Sequence, residues 1–218
     1  LSGSLQTFTS FQVNATPTVA TPGTPRWVAV RGRTRDVYVT DGSGNVTVYD
    51  GSQASMPIIA SVPLGTSLQG VASGVDGSRM YVAQSGSLVS IDTSTNAVAW
   101  TIALGGTSWG VATSTNNNLV AVSDSSGGKV NIVNSRGFLT QTSSVGNSPR
   151  ELVFSPDSRY VYVAVQGTGN VVVLNLVDGT VDATIDISTT TSETPAGLAV
   201  SYDGSTLYVA SGGSIVVV

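Results

Sequence analysis

Residues 195–211 read PAGLAVSYDGSTLYVAS, and the fold follows from how this stretch repeats. Val, Leu, Ala and Tyr alternate with small or polar residues at period two on either side of a YDGS turn, the pattern of two half-buried strands joined by a hairpin. A helix would need apolar residues three and four apart with a charged opposite face, and neither is visible. The opening half recurs as PRWVAVRGRT (25–34), LQGVASGVDG (68–77), SWGVATSTNN (108–117) and PRELVFSPDS (149–158). Each copy leads into a β-rich patch: DVYVTD from Asp36, RMYVAQ from Arg79, LVAVSD from Leu119, YVYVAV from Tyr160 and TLYVAS from Thr206. After a Gly/Ser/Asn turn comes a second patch, NVTVYD (45–50), SLVSID (87–92), KVNIVN (129–134), NVVVLN (170–175) and SIVVV (214–218).

The register positions Val28, Val71, Val111, Leu152 and Leu198 are separated by 43, 40, 41 and 46 residues. That spacing suits a blade of four short strands. The expectation is an all-β chain, a five-bladed β-propeller of four-stranded antiparallel blades, forming one domain over 1–218. The blades fall at about 21–64, 65–104, 105–145, 146–188 and 189–218 plus 1–20. The last repeat stops one strand short. LSGSLQTFTSFQV (1–13) reads like LNLVDGTVDATIDI (174–187), so the N-terminal strand is expected to complete the C-terminal blade and close the ring.

Composition removes several classes of function. The net charge is −4, with one lysine, Lys129. Phosphate backbones and anionic membrane surfaces need clustered cations, so no nucleic acid partner is expected. No apolar run reaches the ~18 residues that cross a membrane, so no membrane insertion is expected. The chain has neither Cys nor His. Disulfides, thiolate nucleophiles, imidazole bases and imidazole metal ligands are therefore absent from its chemistry. A start at Leu1 rather than Met fits both a removed leader and a trimmed chain.

The repeats resemble the YVTN family of β-propeller repeats. The family pattern, approximately P-x-G-V-A-V-S-P-D-G, then Y-V-A-N, then V-x-V-I-D, is met by PAGLAVSYDGSTLYVAS and by GVDGSRMYVAQSGSLVSID. The first repeat departs from it with RGRT, and the third with STNN. The resemblance implies a propeller and an extracellular or cell-surface setting. It implies no single activity, because related propellers host lactonases, a lyase, surface-layer proteins and binding scaffolds. The lyase relies on His, which this chain lacks.

The first strand of each blade lines the central channel, so the register also marks the channel mouth. Two residues before each register position stand Arg26, Gln69, Trp109, Arg150 and Ala196; next come Trp27, Gly70, Gly110, Glu151 and Gly197. Arg26, Trp27, Gln69, Trp109, Arg150 and Glu151 are the candidate ligand-binding residues. Rings supply flat apolar area and Arg a fixed donor fork, suiting a carbohydrate, a peptide or an acidic group. The plainer expectation pairs Arg150 with Glu151 in a solvated ion pair and packs the Trp rings between blades. Asp41, Gln84 and Asp124 at the second-strand ends are candidate metal ligands, with calcium the ion their oxygens would suit and turn capping the alternative. Otherwise no cofactor is expected.

Arg31, Arg33 and Arg35 form a basic hairpin at the other end, expected to be solvated. Trp100 and the recurrent Tyr38, Tyr81, Tyr162 and Tyr208 are expected to pack between blades. Asn14 and Asn45 open Asn-x-Thr triplets, which matter only where secreted chains are glycosylated. The expected function is a non-catalytic extracellular binding or assembly module with a protein or carbohydrate ligand at the mouth, and self-assembly as a further kind of partner. No catalytic residue is assigned. The alternative is a metal-dependent, lactonase-like hydrolase using the same mouth.

Overall fold

A computed structural model describes residues 18–32, 34–187 and 194–218. These residues form antiparallel sheets in strict chain order. The first sheet holds β1 (Pro25–Val30), β2 (Val37–Asp41), β3 (Asn45–Tyr49) and β4 (Ile58–Pro63). The second holds β5 (Leu68–Ser73), β6 (Arg79–Gln84), β7 (Ser87–Asp92) and β8 (Ala97–Ala103). The third holds β9 (Ser108–Thr113), β10 (Leu119–Asp124), β11 (Lys129–Asn134) and β12 (Leu139–Ser144). The fourth holds β13 (Pro149–Phe154), β14 (Tyr160–Val165), β15 (Asn170–Asn175) and β16 (Val181–Asp186). The fifth has three described strands, β17 (Pro195–Val200), β18 (Leu207–Ser211) and β19 (Ser214–Val217). The fourth strand expected from residues 1–13 lies outside the described residues.

Successive sheets pack face to face through their inner strands. Sheet one's β1 and β2 meet β5, β5 and β6 meet β9, β9 and β10 meet β13, and β13 and β14 meet β17. Successive residues point to opposite faces, so consecutive apolar residues such as Met80–Ala83 and Val120–Val122 serve both faces of a sheet, and the seams between sheets are the core. Tyr38, Val46 and Val48 of the first sheet pack with Val71, Val82 and Val89 of the second. Tyr81 and Leu88 then pack with Val111, Val120 and Val122 of the third. Ile132 faces Leu152, Val161 and Val163, and Val171 faces Leu207 and Val209. Each such side chain contributes about 1.5–3 kcal/mol of burial. Trp100 lies in the second of these seams, its ring centroid 5.9 Å from that of Tyr81.

The described residues do not show the expected closure, whose N-terminal strand lies outside them. The first and last sheets share no packing comparable to the internal seams. Val28 is 63% exposed where its equivalent Val71 is 6%, and Ile215 is 71% exposed where Leu88 is 0%. Tyr208, at a position buried in Tyr38 and Tyr81, is also exposed. The outer part of the first sheet's free face is nevertheless covered. Val19 and Thr21 border a cavity of about 220 Å³ with Val28, Val37, Val39 and Tyr49, and the Tyr49 hydroxyl donates to the Ala20 carbonyl at 3.4 Å. In the repeat register Val19 corresponds to Val62, the outer-strand residue that packs over the second sheet.

The basic hairpin is solvated only in part. Arg31 is not solvated: Nε donates to the Gly77 carbonyl at 2.9 Å, while Nη1 reaches Asp36 and the Thr93 carbonyl, both at 3.3 Å. It straps the first sheet to the second. Arg35 is exposed, and Arg33 lies outside the described residues.

Candidate functional site at the inner-strand bulges

Every inner strand slips register against its partner at its N-terminal end. The slips fall between Pro25 and Trp27, Leu68 and Val71, Ser108 and Val111, Pro149 and Leu152, and Pro195 and Gly197. A β-bulge leaves residues outside the ladder and re-aims their side chains. Arg26, Gln69, Trp109, Arg150 and Ala196 all stand at these bulges. The residues marked by the sequence register therefore share one end of the inner strands.

The bulges also bring neighbouring backbones together. A Cβ on Gly70 would lie 2.8 Å from the Trp109 carbonyl oxygen, and one on Gly110 would lie 2.3 Å from that of Arg150. Side chains are excluded there. The Ser123 hydroxyl accepts from the Gly110 amide at 2.8 Å and donates to the Arg150 carbonyl at 2.6 Å. Thr40 makes the matching bond to the Gln69 carbonyl at 2.8 Å. These bonds fix the β5 and β13 bulges to the preceding sheets.

Of the six expected ligand-binding residues, the structure puts Trp109 and Arg150 in direct contact. The Arg150 guanidinium carbon lies 3.6 Å from the centroid of the Trp109 ring, a stacked cation–π pair. Arg26 and Gln69 occupy the same end of β1 and β5 without a side-chain hydrogen bond among the described residues. Trp27 and Glu151 turn into the seams, at the position that Gly70 and Gly110 hold in their own repeats. Trp27 packs partly buried with Leu68 and Val71. Glu151 is half-buried, and desolvation pushes its carboxyl up to about 7.

The expected Arg150–Glu151 ion pair is absent. Among the described residues the ion pairs are Arg31–Asp36 at 3.3 Å and Arg79–Asp92 at 2.7 Å. The bulge between Pro149 and Leu152 re-aims both side chains, and Arg150 goes to the Trp109 ring rather than to Glu151. Arg150 Nε is buried with no hydrogen-bond partner.

The expected metal ligands are engaged in hydrogen bonds to nearby turns and connections. Asp41 Oδ1 accepts from the Ser43 amide at 2.8 Å, the Ser43 hydroxyl at 2.5 Å and the Asn45 amide at 3.3 Å. Asp124 Oδ1 accepts from the amides of Thr107 at 2.8 Å, Gly127 at 3.0 Å and Ser126 at 3.2 Å. Burial raises both carboxyls, but these hydrogen bonds outweigh it and hold them below the ordinary range. Gln84 Nε2 donates to the Leu64 carbonyl. No three acidic side chains converge among the described residues.

A feature the register did not mark lies at the opposite end of the inner strands. A cavity of about 520 Å³ is lined by Thr113, Thr115, Phe154, Pro156, Val200 and Tyr202. Thr115, Pro156 and Tyr202 occupy the same place in the STNN, SPDS and SYDG turns, a coincidence that is present in the sequence. The hydroxyl of Thr115 donates to the Pro156 carbonyl at 2.8 Å, tying two of these turns together.

Comparison with solved structures decides the architecture. A functionally unknown protein from Desulfotomaculum acetoxidans superposes with a TM-score of 0.80 at 20% identity, over 91% of this chain and 66% of that one. The fold is a β-propeller. The Swd1 β-propeller domain of Myceliophteria thermophila gives a TM-score of 0.77 at 11% identity, over 89% of this chain and 64% of that one. Hydrazine synthase of Kuenenia stuttgartiensis gives 0.77 at 17% identity, over 92% and 59%. The propeller described here thus spans about three fifths to two thirds of the length of these structures. Residues 134–217 match the family model described as lactonase, 7-bladed beta-propeller, which is less than half of the chain. No curated protein matches it.

Proposed function

We propose that this propeller is a non-catalytic binding module, taking a protein or carbohydrate ligand at the bulged end of its inner strands, in an extracellular or cell-surface setting. The observation that carries this reading is the Arg150–Trp109 stack, set on two adjacent bulges and stitched in place by Ser123. It presents a cation and a ring together, the usual equipment for polar ligands with an apolar face. The setting rests on the kind of repeat alone. The test is a glycan and peptide array probed with the intact chain and with Trp109→Ala and Arg150→Ala variants that remain folded. Ligands that bind the parent and are lost from both variants are expected; ligands retained by both would overturn the site.

The lactonase-like reading is favoured by the family match over residues 134–217, which includes Arg150 and Glu151. It needs carboxylates free to converge on one ion, whereas Asp41 accepts from its own turn and Asp124 from its own turn and from Thr107. Metal analysis of the purified chain, with lactone hydrolysis as the readout, separates the two readings.

The exposed faces of the first and last sheets, at Val28 and Ile215, favour a further sheet between them, while Val19–Thr21 hold the outer-strand place that the N-terminal segment would fill in either arrangement. This supports a ring with further sheets over direct closure of five.

A further inference from the structure

Arg150 is stacked but unpaired. Its guanidinium is held on the Trp109 ring, no carboxylate among the described residues lies within salt-bridge distance, and Nε is buried without an acceptor. A half-buried cation with unused donors is costly, because it has given up water without gaining acceptors. The other arginines that leave solvent, Arg31 and Arg79, each have an aspartate. Stacking also fixes the plane of the guanidinium, so an incoming planar acceptor loses little to ordering the side chain.

We propose that Arg150 is the receptor for a single carboxylate group on a small ligand, a deeper statement of the binding site above and resting on it. A carboxylate presents two coplanar oxygens that match the guanidinium fork. The protein carries a net charge of −4 and one lysine, so its field does not gather polyanions. One isolated fork suits one negative charge. Two sources offer that chemistry, a uronic acid sugar and the end of a peptide, and the probes tell them apart.

The experiment is isothermal titration of the full chain with matched pairs: D-glucuronate against D-glucose, and N-acetylglycine against N-acetylglycinamide, with inorganic phosphate as a further probe. The carboxylate of one pair is expected to bind roughly tenfold or more tighter than its neutral twin. Arg150→Lys keeps the charge but loses the fork, and is expected to weaken that ligand about tenfold. Arg150→Gln is expected to abolish the preference, and Arg136→Gln, on an exposed turn, to leave it unchanged. Thermal melts establish that each variant is folded, and Arg150→Lys carries the test if Arg150→Gln is not. A carboxylate preference that survives in a folded Arg150→Gln overturns the assignment. Tighter binding of phosphate overturns the ligand class, as does silence from both carboxylates at millimolar concentration. Equal binding of a neutral twin, lost on Trp109→Leu, overturns the carboxylate while leaving the mouth as the binding site. Neutral binding indifferent to Trp109 and Arg150 overturns both.

Discussion

The hydroxyl of Ser123 donates to the carbonyl of Arg150 at 2.6 Å while accepting from the Gly110 amide at 2.8 Å, bridging the third and fourth sheets directly beneath the stacked guanidinium. Scaffold and site meet in this bond. Ser123→Ala leaves a buried amide and a carbonyl unsatisfied and is expected to cost about 1–3 kcal/mol. Denaturant unfolding measures that cost. Unchanged stability would show that the bond does not hold the bulge.

Gly110 provides an independent check of the same seam. An alanine there would put Cβ 2.3 Å from the Arg150 carbonyl oxygen, so the fourth sheet must shift. The expected destabilisation is about 1–3 kcal/mol, the range for overpacking a close contact. Gly197→Ala is the control, because its Cβ would meet Ala210 at an ordinary 3.7 Å. Equal effects from the two substitutions would contradict the seam geometry.

Glu151 gives the stability a pH dependence. Its carboxyl stands at about 7 in the folded chain against an ordinary 4.5. Below about 4.5 both folded and unfolded chains hold the proton, and burial carries no penalty. As pH rises towards 7 the unfolded chain releases its proton first, so stability falls, by about 2–3 kcal/mol in all. Glu151→Gln is expected to flatten the fall between pH 4.5 and 7. Parallel curves for parent and variant would show that Glu151 is not desolvated.

Much of this arrangement was legible in the chain itself. The strands could be read because period-two alternation and Asp/Gly/Ser turns recur at a steady spacing, and the bulged residues because they sit at one fixed place in each repeat. The Asp41 and Asp124 turns were readable as well, since Asp-x-Ser is the signature of a side chain accepting its own backbone amide two residues on. Arg31 was not readable, because its partners Gly77 and Thr93 lie on the next sheet. The Arg150–Glu151 pair failed because the bulge at 150–151 sends Arg150 to the Trp109 ring, and that stack went unseen because it crosses a seam between repeats. Repeat counting yields the five sheets but carries no information on how far each seam turns the next one, so it does not decide whether five close a ring.

That angular question has its own test, made simple by the absence of native cysteine. Spin labels on Arg26→Cys and Ala196→Cys span the two end sheets; labels on Arg26→Cys and Gln69→Cys span one internal seam. The end-sheet distance is expected to exceed the internal one clearly. Equal distances would mean that five sheets close on themselves.

The most direct test of the binding site is the Arg150 Nε–H signal in a nitrogen-15 spectrum of the intact chain, assigned by its loss in Arg150→Lys. Titration with the best array ligand is expected to move that signal and the Trp109 indole signal together, with the same midpoint. A ligand that saturates the protein while both signals stay still would contradict the account.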